Sequence, residues 1–328
     1  MRVLVFGGAG FVGLNIIEAL LSRGHETIAF DRSPLPSSAV RAFAALPGRL
    51  ETITGDVTDR AAVTETIRPG LDAIILGSAI TADATRDAVD PETILSVNLM
   101  AQVPILERAR DVGTGRILNL SSGIVYGGMG EREPVLTEET SVDPVGLYAI
   151  SKYATERVGT RLSSLWGIDL VNVRLSSVFG PWELATQTRD TLSPQRQMAS
   201  LLGTGRPALL ARPGWRDWVY APDVAEAVVH LIAAQRLTSR LFNVSAPDRW
   251  AALDWGRRLG SLDPDFVCRV VEPGETPTIR LHAPVDRAPL STDRMRDELG
   301  WAARFGMQDS ADHFVAWWRQ YGSKLDGK

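Results

Sequence analysis

The chain has 328 residues, of which 45% are hydrophobic and 23% are charged, a balance that is typical of a globular protein with a sizeable core. A net charge of -4 and a pI near 5.7 provide no positive field for nucleic acid or for an anionic membrane. The single cysteine, Cys268, excludes an intrachain disulfide framework, and the apolar run MRVLVF is too short for a signal peptide or a membrane span. We therefore expect a cytoplasmic protein with no nucleic-acid or membrane partner.

Short apolar runs alternate with longer amphipathic stretches through the first half of the chain. The predicted strands are Val3–Phe6, Glu26–Phe30, Leu50–Thr54, Ala73–Leu76, Ile117–Leu120 and Leu170–Arg174. The predicted helices are Phe11–Arg23, Arg60–Arg68, Pro91–Arg110 and Leu147–Ser164. Strands that are separated by helix-length segments indicate βαβ crossovers, and hence an α/β fold of the Rossmann type with a doubly wound parallel sheet.

The pattern changes after about residue 176, where Pro, Gly and Trp become frequent. Residues 181–195 (PWELATQTRDTLSPQ) predict a loop, residues 214–234 predict a strand that enters a helix, and an amphipathic helix is expected around Gln308–Arg319. We predict a first domain over residues 1–175. Residues 176–328 would form mainly a smaller substrate-binding lobe, with some segments returning to the first domain, because ligands lie beyond the carboxyl ends of such strands.

The stretch GGAGFVG (residues 7–13) follows the first strand and opens a helix. It contains G-x-G-x-x-G through Gly8, Gly10 and Gly13, and G-x-x-G-x-x-G through Gly7, Gly10 and Gly13. Glycines allow a tight turn and a close approach of the backbone to a pyrophosphate, which the N–H groups and dipole of the helix then bind. This context favours a dinucleotide site over an ordinary glycine turn.

The second strand ends in Asp31, eighteen residues after Gly13. A carboxylate at this position accepts hydrogen bonds from the hydroxyls of the adenosine ribose and repels a 2′-phosphate, which favours NAD over NADP. Arg32 weakens this preference, since it could pair with such a phosphate.

Two further stretches indicate where chemistry takes place. ILNLSSGIVYGG (117–128) is a strand that ends in two serines, and PVGLYAISKYATERV (144–158) places Tyr148 and Lys152 four residues apart on one helix face. A tyrosine is a weak base at its ordinary pKa of about 10, but an ammonium group and an oxidised nicotinamide nearby would favour the phenolate. The alternative is that Tyr148 and Lys152 are ordinary residues on an exposed helix face. The dinucleotide motif upstream makes this alternative less favoured than a catalytic pair.

The sequence resembles the extended short-chain dehydrogenases/reductases, which include the sugar-nucleotide epimerases and dehydratases. The resemblance runs through most of the chain, in GGAGFVG, Asp31, GDVTD (55–59), Asn98, SSGIVYG, YAISK, RLSSVFGP (174–181), RDWVYAPDVAEA (216–227) and LGW (299–301). It implies that NAD is the cofactor and that Ser122, Tyr148 and Lys152 are the catalytic set, with Ser122 chosen over Ser121 because it lies four residues before Tyr126. The cofactor-binding residues that it implies are Gly7, Gly10, Phe11, Val12, Gly13, Asp31, Arg32, Asp56, Val57, Ser78, Ala79, Asn98, Tyr148 and Lys152.

The resemblance also narrows the reaction. The related 4,6-dehydratases carry an Asp-Glu pair just after the serine, decarboxylases carry a glutamate there, and enzymes that invert carbons 3 and 5 need a cysteine near this point. This chain has Gly123 and Ile124 instead. Without these groups, the reaction that the resemblance implies is hydride transfer alone. The favoured activity is that of a 4-epimerase acting on a nucleotide sugar. The alternative is a net NAD-dependent dehydrogenase of a smaller hydroxylated substrate such as a free sugar, an aldonate or an alicyclic alcohol.

Substrate contacts are expected at Ser122, Gly123, Tyr148, Ser177 and Arg216. Arg216 matches an arginine that holds the diphosphate of nucleotide sugars, although it could instead pair with Asp217 or Asp223. Three departures count against a nucleotide sugar: Ser177 replaces the asparagine of the family, Gly77 and Ser78 replace a histidine-containing strand end, and a second phosphate-binding arginine has no clear counterpart, although Arg280 and Arg287 lie nearby.

Other features carry less specific expectations. We interpret Trp182, Trp215 and Trp218 as core residues between the lobes. The histidines His25, His230, His282 and His313 are too scattered for a metal site, and no metal is expected. The resemblance implies a homodimer formed through Pro91–Arg110 and the helix of Tyr148. A non-catalytic module that retains its cofactor for structure or redox sensing is the third possibility, which the intact Ser122, Tyr148 and Lys152 set disfavours.

Overall fold

The computed structural model describes residues 1–186, 188–281, 283 and 285–325. Its strands are β1 (Arg2–Phe6), β2 (Glu26–Asp31), β3 (Arg49–Thr54), β4 (Ala73–Leu76), β5 (Arg116–Ser122), β6 (Asp169–Leu175), β7 (Val178–Phe179), β8 (Ala208–Leu210), β9 (Trp215–Arg216), β10 (Val219–Tyr220), β11 (Leu241–Val244), β12 (Trp250–Ala251) and β13 (Cys268–Val270). Each of the six strands that the sequence predicts is present, with ends within two residues of the prediction.

The helices follow the predicted alternation with the strands. They are α1 (Phe11–Ser22), α2 (Ser37–Phe43), α3 (Arg60–Thr66), α4 (Ala84–Val89), α5 (Pro91–Leu95), α6 (Gln102–Val112), α7 (Met129–Arg132), α8 (Leu147–Trp166), α9 (Pro194–Ala199), α10 (Ala221–Ala233), α11 (Ala252–Leu262), α12 (Asp293–Leu299) and α13 (Met307–Leu325). A π-helical turn over Ser96–Met100 joins α5 to α6, and a 3₁₀ turn over Gly123–Tyr126 follows β5.

Within the described residues, seven strands form one parallel sheet in the order β11-β6-β5-β4-β1-β2-β3. The strand order reverses between β1 and β4, so the carboxyl ends of these two strands border the crevice where doubly wound sheets bind ligands. This arrangement confirms the predicted Rossmann-type fold.

Both faces of the sheet are covered, because alternate residues of each strand point to opposite sides. On β1, Val3 and Val5 belong to the core that includes α1 and α10, whereas Leu4 and Phe6 belong to the core beneath α3 and α6. Every one of these four side chains is fully buried. The near-continuous apolar strands of the sequence therefore follow from burial on two sides.

The predicted helix over Pro91–Arg110 is not continuous. It is interrupted by the π-helical turn, in which Asn98 is fully buried and bonds both backbone groups of Ile80, at 2.7 Å to the N–H and 3.0 Å to the carbonyl. Single π-helical turns of this kind are frequent at functional sites. The wider turn places Asn98 against the segment that follows β4.

The second half of the chain supplies smaller elements around the carboxyl ends of the sheet. β6 ends at Leu175, and β11 returns to the edge of the main sheet beside β6. The short pairs β7–β10, β9–β12 and β8–β13 lie outside that sheet. The proposed division at residues 175 and 176 remains a prediction. No helix in the described part of the chain is both long enough and apolar enough to cross a membrane.

Candidate active site

The glycine-rich stretch is packed so tightly that a side chain at Gly7 or Gly13 would force the backbone to shift. A Cβ on Gly13 would lie 2.1 Å from the carbonyl oxygen of Gly7, and a Cβ on Gly7, where φ is +78°, would lie 2.7 Å from the backbone of Gly77 and Ser78. Gly10 precedes α1, and no side chain caps the N–H groups at this helix end. These residues therefore fit a dinucleotide diphosphate, which needs a close backbone approach and uncapped donors.

Asp31 lies beside the glycine-rich stretch, as the spacing predicts. Its carboxylate accepts the N–H of Ala9 at 3.1 Å and the N–H of Ser33 at 3.0 Å. Burial raises the pKa of Asp31, while these backbone bonds and the neighbouring Arg32 oppose the rise. Arg32 itself is exposed. Asp31 can thus both hold the glycine-rich stretch and present a carboxylate to a ribose.

The other expected cofactor contacts converge on the same crevice. Asp56 accepts hydrogen bonds from the N–H and Oγ1 of Thr58, and the backbone bond is the main reason that its pKa is lowered. Val57 and Ser78 line one small pocket. Ser78 and Ala79 are half-buried directly after β4, beside Gly7. Sequence positions up to seventy residues apart are therefore brought to one edge of the sheet.

Ser122, Tyr148 and Lys152 lie together where β5 meets α8. The side chain of Ser122 lies close enough to Tyr148 to lower the pKa of the phenol, and the Nζ of Lys152 lies 5.9 Å from the centroid of the Tyr148 ring. Lys152 is 3% exposed and donates to the carbonyl of Leu120 at 2.8 Å. Asn98 ties α8 to the site, because its Nδ2 donates to the Oγ of Ser151 at 3.1 Å.

In the protein without cofactor, burial has the largest effect on Tyr148. Burial raises the pKa of Tyr148, and the side chain of Ser122 and the charge of Arg189 only partly offset this effect. Burial also lowers the pKa of Lys152 to about 8, against the opposing charge of Glu156. The neighbouring ammonium group by itself therefore does not produce a phenolate near neutral pH.

Arg216 lies in an arginine-rich part of the substrate side. It is 8% exposed, and its pKa is lowered to about 10 by burial and then by the charge of Arg287. Asp217 pairs instead with Arg287 at 3.1 Å, and Asp223 accepts the backbone N–H groups of Arg304 and Phe305. In the described ranges, neither aspartate is the ion-pair partner of Arg216, which was the structural alternative for this residue.

The remaining substrate-side predictions have mixed outcomes. Gly123 is buried, and a Cβ there would lie 3.1 Å from Leu290 Cδ1. Ser177 is half-buried, and its carbonyl accepts the N–H of Val219. Trp182 and Trp218 are buried, as expected, but the expectation for Trp215 is wrong, since it is 44% exposed. Alternation along β9 turns Arg216 inward and therefore turns Trp215 outward.

Three of the four histidines can be placed. His25 is half-buried, His230 is exposed, and the Nδ1 of His313 is hydrogen-bonded to the hydroxyl of Tyr220 at 2.8 Å. His282 lies outside the described residues. Over the part of the chain that the structure describes, there is no group of three or more His, Cys, Asp or Glu side chains that could hold a metal ion.

Sequence reasoning missed two polar groups next to the site. Ser121 donates to Glu156 at 2.5 Å, and Glu156 is paired with Arg174. Arg189 lies close enough to Tyr148 for its charge to act on the phenol. A signal for the first was present, because Glu156 follows Lys152 by one helical turn and Arg174 is the one basic residue of β6. Nothing in the sequence marks Arg189.

Comparisons with known proteins agree with this geometry. Residues 3–245 match the NAD dependent epimerase/dehydratase family. Similar proteins are a dTDP-glucose 4,6-dehydratase from Mycolicibacterium smegmatis, which is 27% identical over 100% of this chain and 98% of that protein, and a probable UDP-glucuronate 4-epimerase from Rhizobium meliloti, which is 23% identical over 98% and 97%.

Among solved structures, the fold is similar to that of the UDP-glucuronic acid 4-epimerase from Bacillus cereus in complex with UDP-glucuronic acid and NAD. The TM-score is 0.78 at 18% identity, and the similarity covers 98% of this chain and 99% of that one. The family match over most of the chain, together with the glycine cradle and the Ser-Tyr-Lys set, leads to one conclusion. The chain belongs to the NAD-dependent epimerase/dehydratase family and is an NAD-dependent enzyme of the extended short-chain dehydrogenase/reductase type.

Proposed function

We propose that this enzyme is a sugar-nucleotide epimerase that acts at carbon 4 of the sugar. The observation that carries the proposal is the placement of Lys152 5.9 Å from the Tyr148 ring beside Ser122, with no acidic side chain at the two positions after the serine, Gly123 and Ile124. Such a site can remove and return a hydroxyl proton. At these two positions it has no acid or base that could eliminate water.

In this proposal Tyr148 takes the proton of the substrate hydroxyl, and the hydroxyl of Ser122 orients the same substrate oxygen. Lys152 contributes a positive charge beside the phenol and a donor toward a ribose hydroxyl. Burial raises the pKa of Tyr148, and the side chain of Ser122 and the positive charge of Arg189 partly oppose this rise. NAD, when bound, supplies reversible acceptance of hydride from the carbon that bears this hydroxyl.

The surroundings of Gly123 support an epimerase over a dehydratase. A side chain at this position meets Leu290 Cδ1 at 3.1 Å and Arg287 Nη2 at 3.5 Å from its first carbon atom. A side chain there would therefore require the Leu290 side chain to shift by a few tenths of an ångström. Ile124 is apolar and 47% exposed, so it supplies no proton donor either.

Arg216 and Arg287 support a nucleotide sugar as the substrate. Their charges act on each other, since Arg287 is a cause of the lowered pKa of Arg216. Two guanidinium groups whose charges act on each other, one of them buried, favour an anion such as a diphosphate, and Asp217 holds Arg287 in place at 3.1 Å. Arg287 is thus our candidate for the second phosphate-binding arginine, which the sequence did not assign.

We further propose that the enzyme is a homodimer formed through α5–α6 and α8. Met100, Ile150 and Leu165 project from this surface with 60%, 44% and 58% of their area exposed. Three exposed apolar side chains on neighbouring helical segments are suited to a self-complementary interface between two copies of the chain. Light scattering coupled to size-exclusion chromatography tests the dimer, and a Met100→Glu, Ile150→Glu double variant would elute as a monomer.

A proton NMR time course with catalytic NAD⁺ tests the activity. UDP-glucose, UDP-glucuronate, dTDP-glucose and GDP-mannose are each incubated with the enzyme, while absorbance at 340 nm reports net NADH. New signals of a 4-stereoisomer without net NADH would support the proposal. Stoichiometric NADH would instead establish a dehydrogenase, and a 4-keto-6-deoxy product would establish a dehydratase. Tyr148→Phe protein provides the control for contaminating activities.

A further inference from the structure

A loop that follows β7 crosses the crevice at the carboxyl ends of β1 and β4. We define this crossing loop as residues 181–186 and 188–193. Its first end is attached to α1: the carbonyl of Pro181 accepts the Nδ2 of Asn15 at 2.8 Å, and the indole N–H of Trp182 donates to Glu18 at 2.7 Å. The loop therefore starts beside the helix that the glycine-rich stretch opens.

The middle of the crossing loop is attached to the segment after β4. The N–H of Thr81 donates to the carbonyl of Thr188 at 2.8 Å, and the N–H of Asp190 approaches the carbonyl of Thr81 at 3.5 Å. The carboxylate of Asp190 also pairs with Arg86 at 3.3 Å and accepts the N–H of Asp83 at 3.1 Å. These contacts form a short parallel bridge with Arg189 at its centre.

The bridge fixes where the side chain of Arg189 goes. The Arg189 guanidinium carbon lies 5.3 Å from the ring centroid of Phe11, the first residue of α1. Its Nη2 donates at 2.7 Å to Glu183, a fully buried carboxylate that also accepts the N–H and hydroxyl of Ser193. Its Nε is buried and has no acceptor in the described segments.

We propose that Arg189 is a side-chain ligand for the diphosphate of the dinucleotide, in addition to the backbone donors of the glycine-rich stretch. The uncapped N-terminus of α1 and the guanidinium beside Phe11 are both attractive to an anion, and they lie on the same side of the crevice. An arginine that keeps donors unused can bind phosphate oxygens through more than one hydrogen bond. Glu183 orients the guanidinium and the bridge to Thr81 holds the backbone, so the contact is preorganised.

This proposal rests on the proposed function, in which NAD binds at the glycine-rich stretch. Binding measurements test the role of Arg189 separately from that cofactor site. Wild-type, Arg189→Gln, Arg189→Lys and Arg206→Gln proteins are titrated with NAD⁺ and with ADP-ribose by isothermal calorimetry, and their melting temperatures are recorded without ligand. Arg206 is exposed on a later turn and provides the matched control. Binding of NAD⁺ to the wild type tests the cofactor site itself, whereas only the difference between variants tests Arg189.

We expect Arg189→Gln to weaken NAD⁺ and ADP-ribose by the same factor, about 10- to 100-fold for a charge-assisted hydrogen bond, with Arg189→Lys in between and Arg206→Gln unchanged. A loss for NAD⁺ without a loss for ADP-ribose would place the contact on the nicotinamide half and overturn the proposal. Unchanged affinity for both, with only a raised KM for the sugar nucleotide, would also overturn it. Arg189→Lys keeps the test valid if the glutamine variant does not fold.

Discussion

Glu156 and Arg174 form a two-bond ion pair that is buried beneath the helix that carries Tyr148. The Nε and Nη2 of Arg174 donate to the two carboxylate oxygens at 2.9 and 2.7 Å, and the two side chains are only 5% and 4% exposed. Ser121 donates to the same carboxylate, and the guanidinium lies 4.7 Å from the ring centroid of Tyr126. The pair therefore joins α8 to β5 and β6 directly behind the proposed catalytic residues.

Removal of one partner of this pair should be strongly destabilising. Arg174→Met leaves the carboxylate of Glu156 buried and without its countercharge, and we expect the free energy of unfolding to fall by about 3–5 kcal/mol. The double variant Glu156→Gln, Arg174→Met should lose less than the two single variants added together, because no charge remains buried. Denaturant unfolding measures all four proteins. A loss below about 1 kcal/mol for Arg174→Met would contradict a structural role for the pair.

Tyr148→Phe should remove turnover while the fold is kept. The variant lacks only the phenol hydroxyl beside Ser122, and loss of a general acid–base group lowers kcat by about 10²- to 10⁴-fold. Tyr153→Phe is the matched control, because Tyr153 lies on a different face of α8. Steady-state kinetics on the substrate found by NMR, together with circular dichroism, measure both. Full turnover by Tyr148→Phe would remove the catalytic assignment.

Gly13→Ala should weaken cofactor binding by distorting the cradle. The new methyl group would lie 2.1 Å from the carbonyl oxygen of Gly7, so the turn must shift, at about 1–3 kcal/mol for overpacking. We expect a rise of roughly 5- to 100-fold in the dissociation constant of NAD⁺, measured by calorimetry. Gly306→Ala is the control, since a Cβ there meets no atom nearer than 3.9 Å. Equal affinity in the two variants would show that the glycine-rich stretch does not contact the cofactor.

Lys152 should make the stability of the protein without cofactor depend on pH above neutrality. Burial lowers its pKa from 10.5 to about 8, so between these pH values the unfolded chain binds more protons than the folded one. The contribution of this group to stability therefore rises as the pH increases through that window. Relative to Lys152→Met, the wild-type melting temperature should gain between pH 8 and 10. A difference that does not change over this range would show that Lys152 titrates as an exposed lysine does.

Much of this protein was predictable from the sequence because its signals are local. Two-sided burial makes the strands of a parallel sheet nearly continuous in apolar residues, and so β1 to β6 could be located within two residues of their ends. The glycine spacing with Asp31 indicated the cofactor site, and the Tyr148–Lys152 spacing indicated one helix face. These patterns depend only on backbone geometry and helical periodicity, which each segment carries within itself.

The tertiary structure decided the features that depend on segments far apart in the chain. The π-helical turn contains Asn98, which bonds to Ile80. The helical periodicity of the sequence gives no indication of this partner. The pairing of Asp217 with Arg287 leaves Arg216 without either aspartate as its ion-pair partner, and the bridge to Thr81 brings Arg189 to Phe11. In each case an ionic or polar group selects its partner by position in space after the sheet has formed. The sequence therefore determined the family and the cofactor, whereas the packed chain determined which charges face the site.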